Sequence, residues 1–212
     1  MSALRVAVLL SGSGTSLDNL LERIDAGELA ARVVVVIASR ADAGGLARAR
    51  RRRVPAVAVP RKEFADVRRF NDALHAELAR HEVDLVALLG FLSPFETRGF
   101  AGRTINVHPA LVPAFSGKGF YGARVHEAVL ARGCKVTGAT VHFCDDEYDQ
   151  GPIILQEAIP VRDDDTPETL AARVQALERR LVPEAIRLFA EGRLRVEGRR
   201  VRIAPAPGGA PS

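Results

Sequence analysis

Three short segments hold residues whose types and spacing could do chemistry. Ser11-Gly12-Ser13-Gly14-Thr15-Ser16 follows an apolar run at 4–10 and precedes a helical pattern. Glycines let a backbone turn tightly and approach a ligand. The start of the next helix offers free amides and a partial positive charge, which suits a phosphate. Thr15 and Ser16 add hydroxyl donors and could cap that helix. The segment is not the dinucleotide fingerprint, which would need Gly at Leu17, and no Gly-Lys-Ser/Thr makes it a P-loop. A plain glycine-rich turn stays open as the other reading.

Asn106-Val107-His108-Pro109 ends a fifth apolar run. Residues two apart on a strand share a face, so Asn106 and His108 lie together. An amide and an imidazole can steady an oxyanion and move a proton. Pro109 restricts His108 to extended backbone. A structural strand-end histidine is the plainer alternative. In Thr140-Val141-His142-Phe143 the alternation sets Thr140 and His142 on one side. Asp145, Asp146, Glu147 and Asp149 crowd the following turn. Their spacing does not match a calcium loop, and a solvated acidic turn is the bland alternative. One carboxylate aimed at His108 would orient the imidazole and favour its protonated form.

These residues need a scaffold. Apolar runs at 4–10, 33–38, 54–59, 85–89 and 104–107 read as buried strands. Helical patterns at 17–24, 43–53 and 64–81 alternate with them. That alternation predicts right-handed crossovers and an α/β fold with an open, mostly parallel twisted sheet and helices on both faces. Such sheets bind ligands at the carboxyl ends of their strands. A loop follows at 109–122, then a helix at 125–130. Strands at 135–143 and 153–160 can pair, which puts antiparallel strands in the C-terminal part. Thr166-Pro167-Glu168 opens the longest helix, at 166–189. A small hairpin is expected at 194–203 and a disordered tail at 205–212.

The chain has 212 residues, the size of one ordinary domain. Hydrophobic residues at 47% and charged residues at 26% argue against disorder. The net charge of +4 permits an anionic partner without demanding nucleic acid. Arg48 and the run Arg50–Arg53 spread around much of a helix, which is more often a solvated face than a stripe for DNA. Aromatics at 5% and the absence of Trp weaken any base-stacking surface. Cys134 and Cys144 cannot make a disulfide framework or a multi-cysteine metal site, and read as reduced thiols of a cytoplasmic protein. No apolar run is long enough to span a bilayer, and no signal peptide is expected.

Taken in order, these segments resemble the phosphoribosylglycinamide formyltransferases, a family of folate-dependent formyltransferases. The matching segments are SGSGTSL at 11–17, INVHPALVPAFSGKGFYG at 105–122, VHEAVL at 125–130 and VTGATVHFCDDEYDQGPIILQE at 136–157. The likeness runs from about residue 4 to 196. It implies a Rossmann-like formyltransferase fold in a single domain over 1–204. The N-terminal half would bind the ribotide phosphate and the C-terminal half the folate. It also implies transfer of the formyl group of 10-formyltetrahydrofolate to the amine of glycinamide ribotide in de novo purine biosynthesis. The amine attacks directly, through a tetrahedral intermediate, with no metal.

The resemblance assigns catalysis to Asn106, His108 and Asp149. Asp149 is chosen because it is the last acid before Gln150-Gly151-Pro152. Gly14, Thr15, Ser16, Gln175 and Glu178 would hold the ribotide. Gln175 and Glu178 have the spacing of one helix face. Arg68, Phe91, Leu92, Asn106, Val141 and Asp145 would meet the folate, with Asp146 a further candidate. Thr140 and His142 would support the site from behind. The implied partners are the two small ligands, with no nucleic acid and no membrane, acting on a monomer or homodimer in the cytoplasm. Val67 stands where relatives often carry a folate-contacting Arg. The chain also passes from Leu92 directly to Ser93-Pro94, where many relatives have a few more residues. A formyltetrahydrofolate hydrolase, a formyltransferase for another amine and a non-catalytic nucleotide-binding protein are the alternatives. Deformylases carry a regulatory domain in front and methionyl-tRNA formyltransferases a tRNA-binding domain behind, so the short chain favours a small-molecule acceptor.

Overall fold

The structure is a computed structural model that describes residues 3–145 and 147–206. Asp146 and residues 207–212 of the expected tail lie outside the described residues. The chain forms two compact units, Met1–Asn106 and Val107–Ser212.

In the first unit, strands and helices alternate as the apolar runs predict. The strands are β1 (Leu4–Leu10), β2 (Ala31–Ala38), β3 (Ala56–Ala58), β4 (Leu85–Leu88) and β5 (Thr104–His108), whose last two residues open the second unit. The order is β3-β2-β1-β4-β5 and every pairing is parallel. The near-continuous apolar runs follow from burial on both faces, and Val6–Leu10 are all fully buried. The helices are α1 (Thr15–Asp25), α2 (Gly44–Arg51) and α3 (Val67–Leu78). The helix expected from residue 64 starts later. Arg61–Glu63 forms a separate short turn. The Asp66 carboxylate then caps α3, accepting the Arg69 amide at 2.7 Å.

The second unit holds α4 (Ala123–Ala131), β6 (Val136–Phe143), β7 (Ile153–Pro160), α5 (Pro167–Ala190), β8 (Leu194–Glu197) and β9 (Arg200–Ile203). The strands run β6-β7-β9-β8. β6–β7 and β8–β9 are antiparallel, and β7–β9 is parallel. The expected antiparallel pair and the hairpin are both present. The Thr166 hydroxyl caps α5 by accepting the Thr169 amide at 3.3 Å, and Pro167 takes the first helical position. Thr140 of β6 stands opposite Gln156 of β7. Gly138 lets this pair close up, because a Cβ there would lie 2.0 Å from the Glu157 carbonyl oxygen.

Candidate active site

The glycine loop of the first unit is braced from several sides. Ser11 is buried. Its Oγ lies 2.6 Å from Ser39 Oγ and accepts the Leu92 amide at 2.8 Å. Gly14 is the N-cap of α1, with φ 79°, and no side chain caps the helix. Thr15 and Ser16 therefore do not serve as caps: the left-handed turn at Gly14 puts both inside the first turn of α1. The leading amides of α1 have no side-chain cap, an arrangement that suits an anion. Gly14 has a second constraint, since a Cβ there would lie 2.6 Å from Gly45 Cα. The Gly45 amide donates to Gly12 O at 3.2 Å. Arg48 Nε donates to Ser13 O at 2.7 Å, and Arg48 pairs with Asp18.

Gly44, Gly45 and Arg48 are structural supports of the loop that the sequence pattern did not single out. Arg48 was concealed in a basic run. In that run Arg52 also pairs with an acid, Asp25. The remaining arginines, Arg50, Arg51 and Arg53, are exposed.

The folate-facing candidates of this unit divide. Phe91 is half-buried and stacks on Phe70 at 6.3 Å between ring centroids. Leu92 beside it is 58% exposed, so the pair forms an apolar step at the end of β4. Arg68 is exposed near the start of α3. Asn106 is half-buried near the end of β5.

The second unit brings four of the expected residues together. His108 is 4% exposed and His142 is 1% exposed. Asp149 stands between them. Its Oδ2 lies 3.5 Å from His108 Nδ1, and its Oδ1 lies 3.5 Å from His142 Nε2. Each ring is tied on its other nitrogen to a backbone carbonyl. His108 Nε2 donates to Phe115 O at 2.8 Å, and His142 Nδ1 donates to Phe143 O at 2.8 Å. A carbonyl can only accept, so those two nitrogens carry the hydrogens. The Gly117 amide donates to Asp149 Oδ2 at 2.9 Å. Fully buried Thr140 supports the loop after His108 through Ala110 and Val112.

Among the described residues of this unit, the non-glycine residues with positive φ are Phe115, at 50°, and Asp149, at 55°. Both touch His108. Left-handed backbone at bulky or charged residues is uncommon, and it collects where geometry serves function. Gly151 lets the acidic turn fold back, since a Cβ there would sit 1.8 Å from Phe143 O.

Electrostatics refine one expectation. Asp149 was expected to keep His108 protonated. Burial lowers the His108 pKa and outweighs the pull of Asp149 and the Phe115 carbonyl, so His108 lies below its ordinary value. For Asp149 the balance is reversed. Burial pushes it up, but its contacts with His142 and His108 and the hydrogen bond from the Gly117 amide hold it below the usual carboxylate range. The site thus pairs a carboxylate disposed to ionise with an imidazole that burial disposes toward its neutral form.

The remaining expected residues of this unit differ in exposure. Val141 is fully buried and presents no surface to a ligand, against its expected folate contact. Asp145 is exposed. On α5, Gln175 is exposed and Glu178 is partly buried. Burial raises the Glu178 carboxyl to about 7 against the opposing pull of Arg179. Among the described residues no group of three or more His, Cys, Asp or Glu could hold a metal ion. No helix among them is long and apolar enough to cross a membrane.

A carboxylate held between two buried imidazoles, on an α/β chain, defines an enzyme that manages protons and developing negative charge. Residues 4–186 match the Formyl transferase family, and the chain belongs to it. It is 36% identical over 196 residues to phosphoribosylglycinamide formyltransferase of Haemophilus influenzae, covering 91% of this chain and 90% of that one. It is 38% identical to the trifunctional purine biosynthetic protein adenosine-3 of Gallus gallus, of which it spans 19%. Glycinamide ribonucleotide transformylase 1 from Symbiobacterium toebii superimposes with a TM-score of 0.91 at 45% identity, covering 96% of this chain and 95% of that one.

Proposed function

We propose that this formyltransferase moves the formyl group of 10-formyltetrahydrofolate to the amine of glycinamide ribotide. The products are formylglycinamide ribotide and tetrahydrofolate, in purine biosynthesis. The observation that carries the reading is Asp149 flanked by His108 and His142, within a chain of the formyl transferase family. The acceptor follows from relatives that bear the name over nearly their whole length.

The residues divide the work. Attack of the amine on the formyl carbon puts negative charge on the former carbonyl oxygen. The Asn106 amide supplies a hydrogen bond to that oxygen. Burial disposes His108 toward the neutral form, with its Nε2 hydrogen on Phe115 O. Negative charge growing nearby raises its proton affinity. The ring then takes the proton the amine loses, and Nδ1–H turns to Asp149 while Nε2–H keeps Phe115. Both nitrogens of the charged ring are thereby matched to acceptors, as in other orienting carboxylate–imidazole pairs. The proton passes on to the departing folate nitrogen.

The uncapped amides of Thr15 and Ser16, with the turn at Gly14, suit the ribotide phosphate. Gln175 and Glu178 suit its ribose. Phe91, Leu92, Arg68, Asp145 and Asn106 are assigned to the folate. The free thiols of Cys134 and Cys144 suit a reducing compartment, and we place the reaction in the cytoplasm.

The test is to supply purified protein with glycinamide ribotide and 10-formyltetrahydrofolate and identify the products. Formylated ribotide is expected in proportion to tetrahydrofolate. Release of free formate with the ribotide unchanged would make the enzyme a hydrolase.

A further inference from the structure

The segment after His108 is held by an unusually complete clamp. The Thr140 hydroxyl donates to Ala110 O at 2.6 Å and accepts the Val112 amide at 3.2 Å. Gln156 Nε2 donates to Thr140 Oγ1 and to Val112 O, each at 2.9 Å. The hydroxyl thereby uses its one proton and both lone pairs, and the glutamine uses both amide hydrogens. Ala110 O, Val112 N–H and Val112 O are all satisfied by one cross-strand pair, since Thr140 and Gln156 stand opposite in the β6–β7 register. Leu111, between them, packs where a Gly138 Cβ would be, 2.7 Å from its Cδ2.

The same segment then returns to the site. Phe115 O accepts the His108 Nε2 hydrogen, and the Gly117 amide donates to Asp149 Oδ2. His108 opens this loop, and the loop carries the acceptor that sets its ring. Gln156 itself is exposed on β7, so its side chain is not core filling. Both its donors nevertheless point inward onto the clamp.

We propose that Gln156 is a positioning residue for His108, acting through Thr140 and the backbone of 110–112. Without its two hydrogen bonds Val112 O loses its partner and Thr140 loses one of its two donors. The 110–115 segment loosens, and the Phe115 carbonyl no longer holds His108 Nε2 at one distance and angle. Ring and carboxylate then meet in a spread of geometries instead of one. The kinetic consequence rests on the proposed formyl transfer; the effect on the ring does not.

Gln156→Met tests this, because it keeps the length of the side chain and removes both donors. At an exposed position it leaves the fold intact, which circular dichroism and the thermal midpoint check. Imidazole nitrogen NMR of His108 is the direct readout. The Nε2 hydrogen is expected to exchange faster, and the nitrogen shifts to move toward those of a freely tautomerising ring. Turnover is expected to fall about 10-fold while both KM values stay within about twofold, the pattern of misplaced machinery. Thr140→Val should give a comparable loss, and the double variant little more than either single change, because the two act as one unit. Unmoved His108 signals in Gln156→Met would overturn the proposal, and so would additive losses in the double variant. A wild-type chain that fails to formylate would remove the proposed reaction, while the His108 signals would still decide the role of Gln156.

Discussion

Oδ2 of Asp149 lies 3.5 Å from Nδ1 of His108, a separation at which the carboxylate feels the ring strongly only when the ring is charged. Burial keeps His108 below its ordinary pKa, and Asp149 opposes that. If the neutral ring is the working form, kcat/KM rises as pH increases through a value below about 6.5 and then levels off. Asp149→Asn removes the main influence that raises this pKa. The apparent pKa should therefore move lower still, while the plateau falls by about 10²-fold or more. A pH–rate profile of both proteins checks the sign. An upward move in the variant would refute the assignment of Asp149.

Asn106→Ala and His108→Ala should lower turnover by about 10²–10³-fold each, the usual cost of losing one preorganised group at a developing charge. Ribotide affinity should change little, because neither residue is assigned to the phosphate or the ribose. Steady-state kinetics together with direct ribotide titration separate the two effects. Near-normal turnover in either variant would count heavily against the mechanism.

Gly14→Ala should strike the glycine loop twice. It puts a Cβ on a left-handed residue and drives that carbon to within 2.6 Å of Gly45 Cα. The start of α1 must shift, so the KM for ribotide should rise about 10-fold or more. The KM for formyl-folate should move much less. Equal rises in the two constants would mean that the loop does not serve the ribotide.

Glu178→Gln should trade function for stability. Burial raises the Glu178 carboxyl from 4.5 to about 7 in the folded chain. The folded state therefore holds a proton that the unfolded chain has released between those values. Stability from this group is fully present below about pH 4.5 and is lost as pH rises through about 7. Removing the ionisable group should raise the thermal midpoint at pH 8, by the equivalent of about 1–3 kcal/mol. The gap should close at pH 4, where both side chains are neutral. Ribotide binding should weaken in the same variant. A thermal series at the two pH values decides it, and an unchanged midpoint at pH 8 would show that the carboxyl is not strained by burial.

Much of the scaffold could be read from the linear chain, for a physical reason. Strands buried on both faces must be apolar throughout, so β1 was found with its observed ends, Leu4–Leu10. Alternating polarity marked β6, and a capping threonine followed by proline marked the start of α5. Element ends were less legible where a neighbour decided them. Asp66 moved the start of α3 by capping it, and Gly14 displaced Thr15 and Ser16 from the cap of α1. The Asn106 and His108 positions could be read because strand alternation is local.

The rest required the folded molecule. Four acids follow β6 in the sequence, and spacing alone did not choose among them; the likeness to relatives did. The structure holds Asp149 between two rings through a left-handed backbone and the close return at Gly151. The direction of the His108 pKa needed burial as well as the neighbouring charge. Arg48 read as surface, yet it braces the glycine loop from a helix 30 residues beyond Asp18. Gln156 carried no signal either, because its work is done on backbone atoms of a segment 44 residues earlier. Local chemistry and periodicity are written in the chain order. Which carbonyl a ring meets, and how much water remains around it, is decided when distant segments pack.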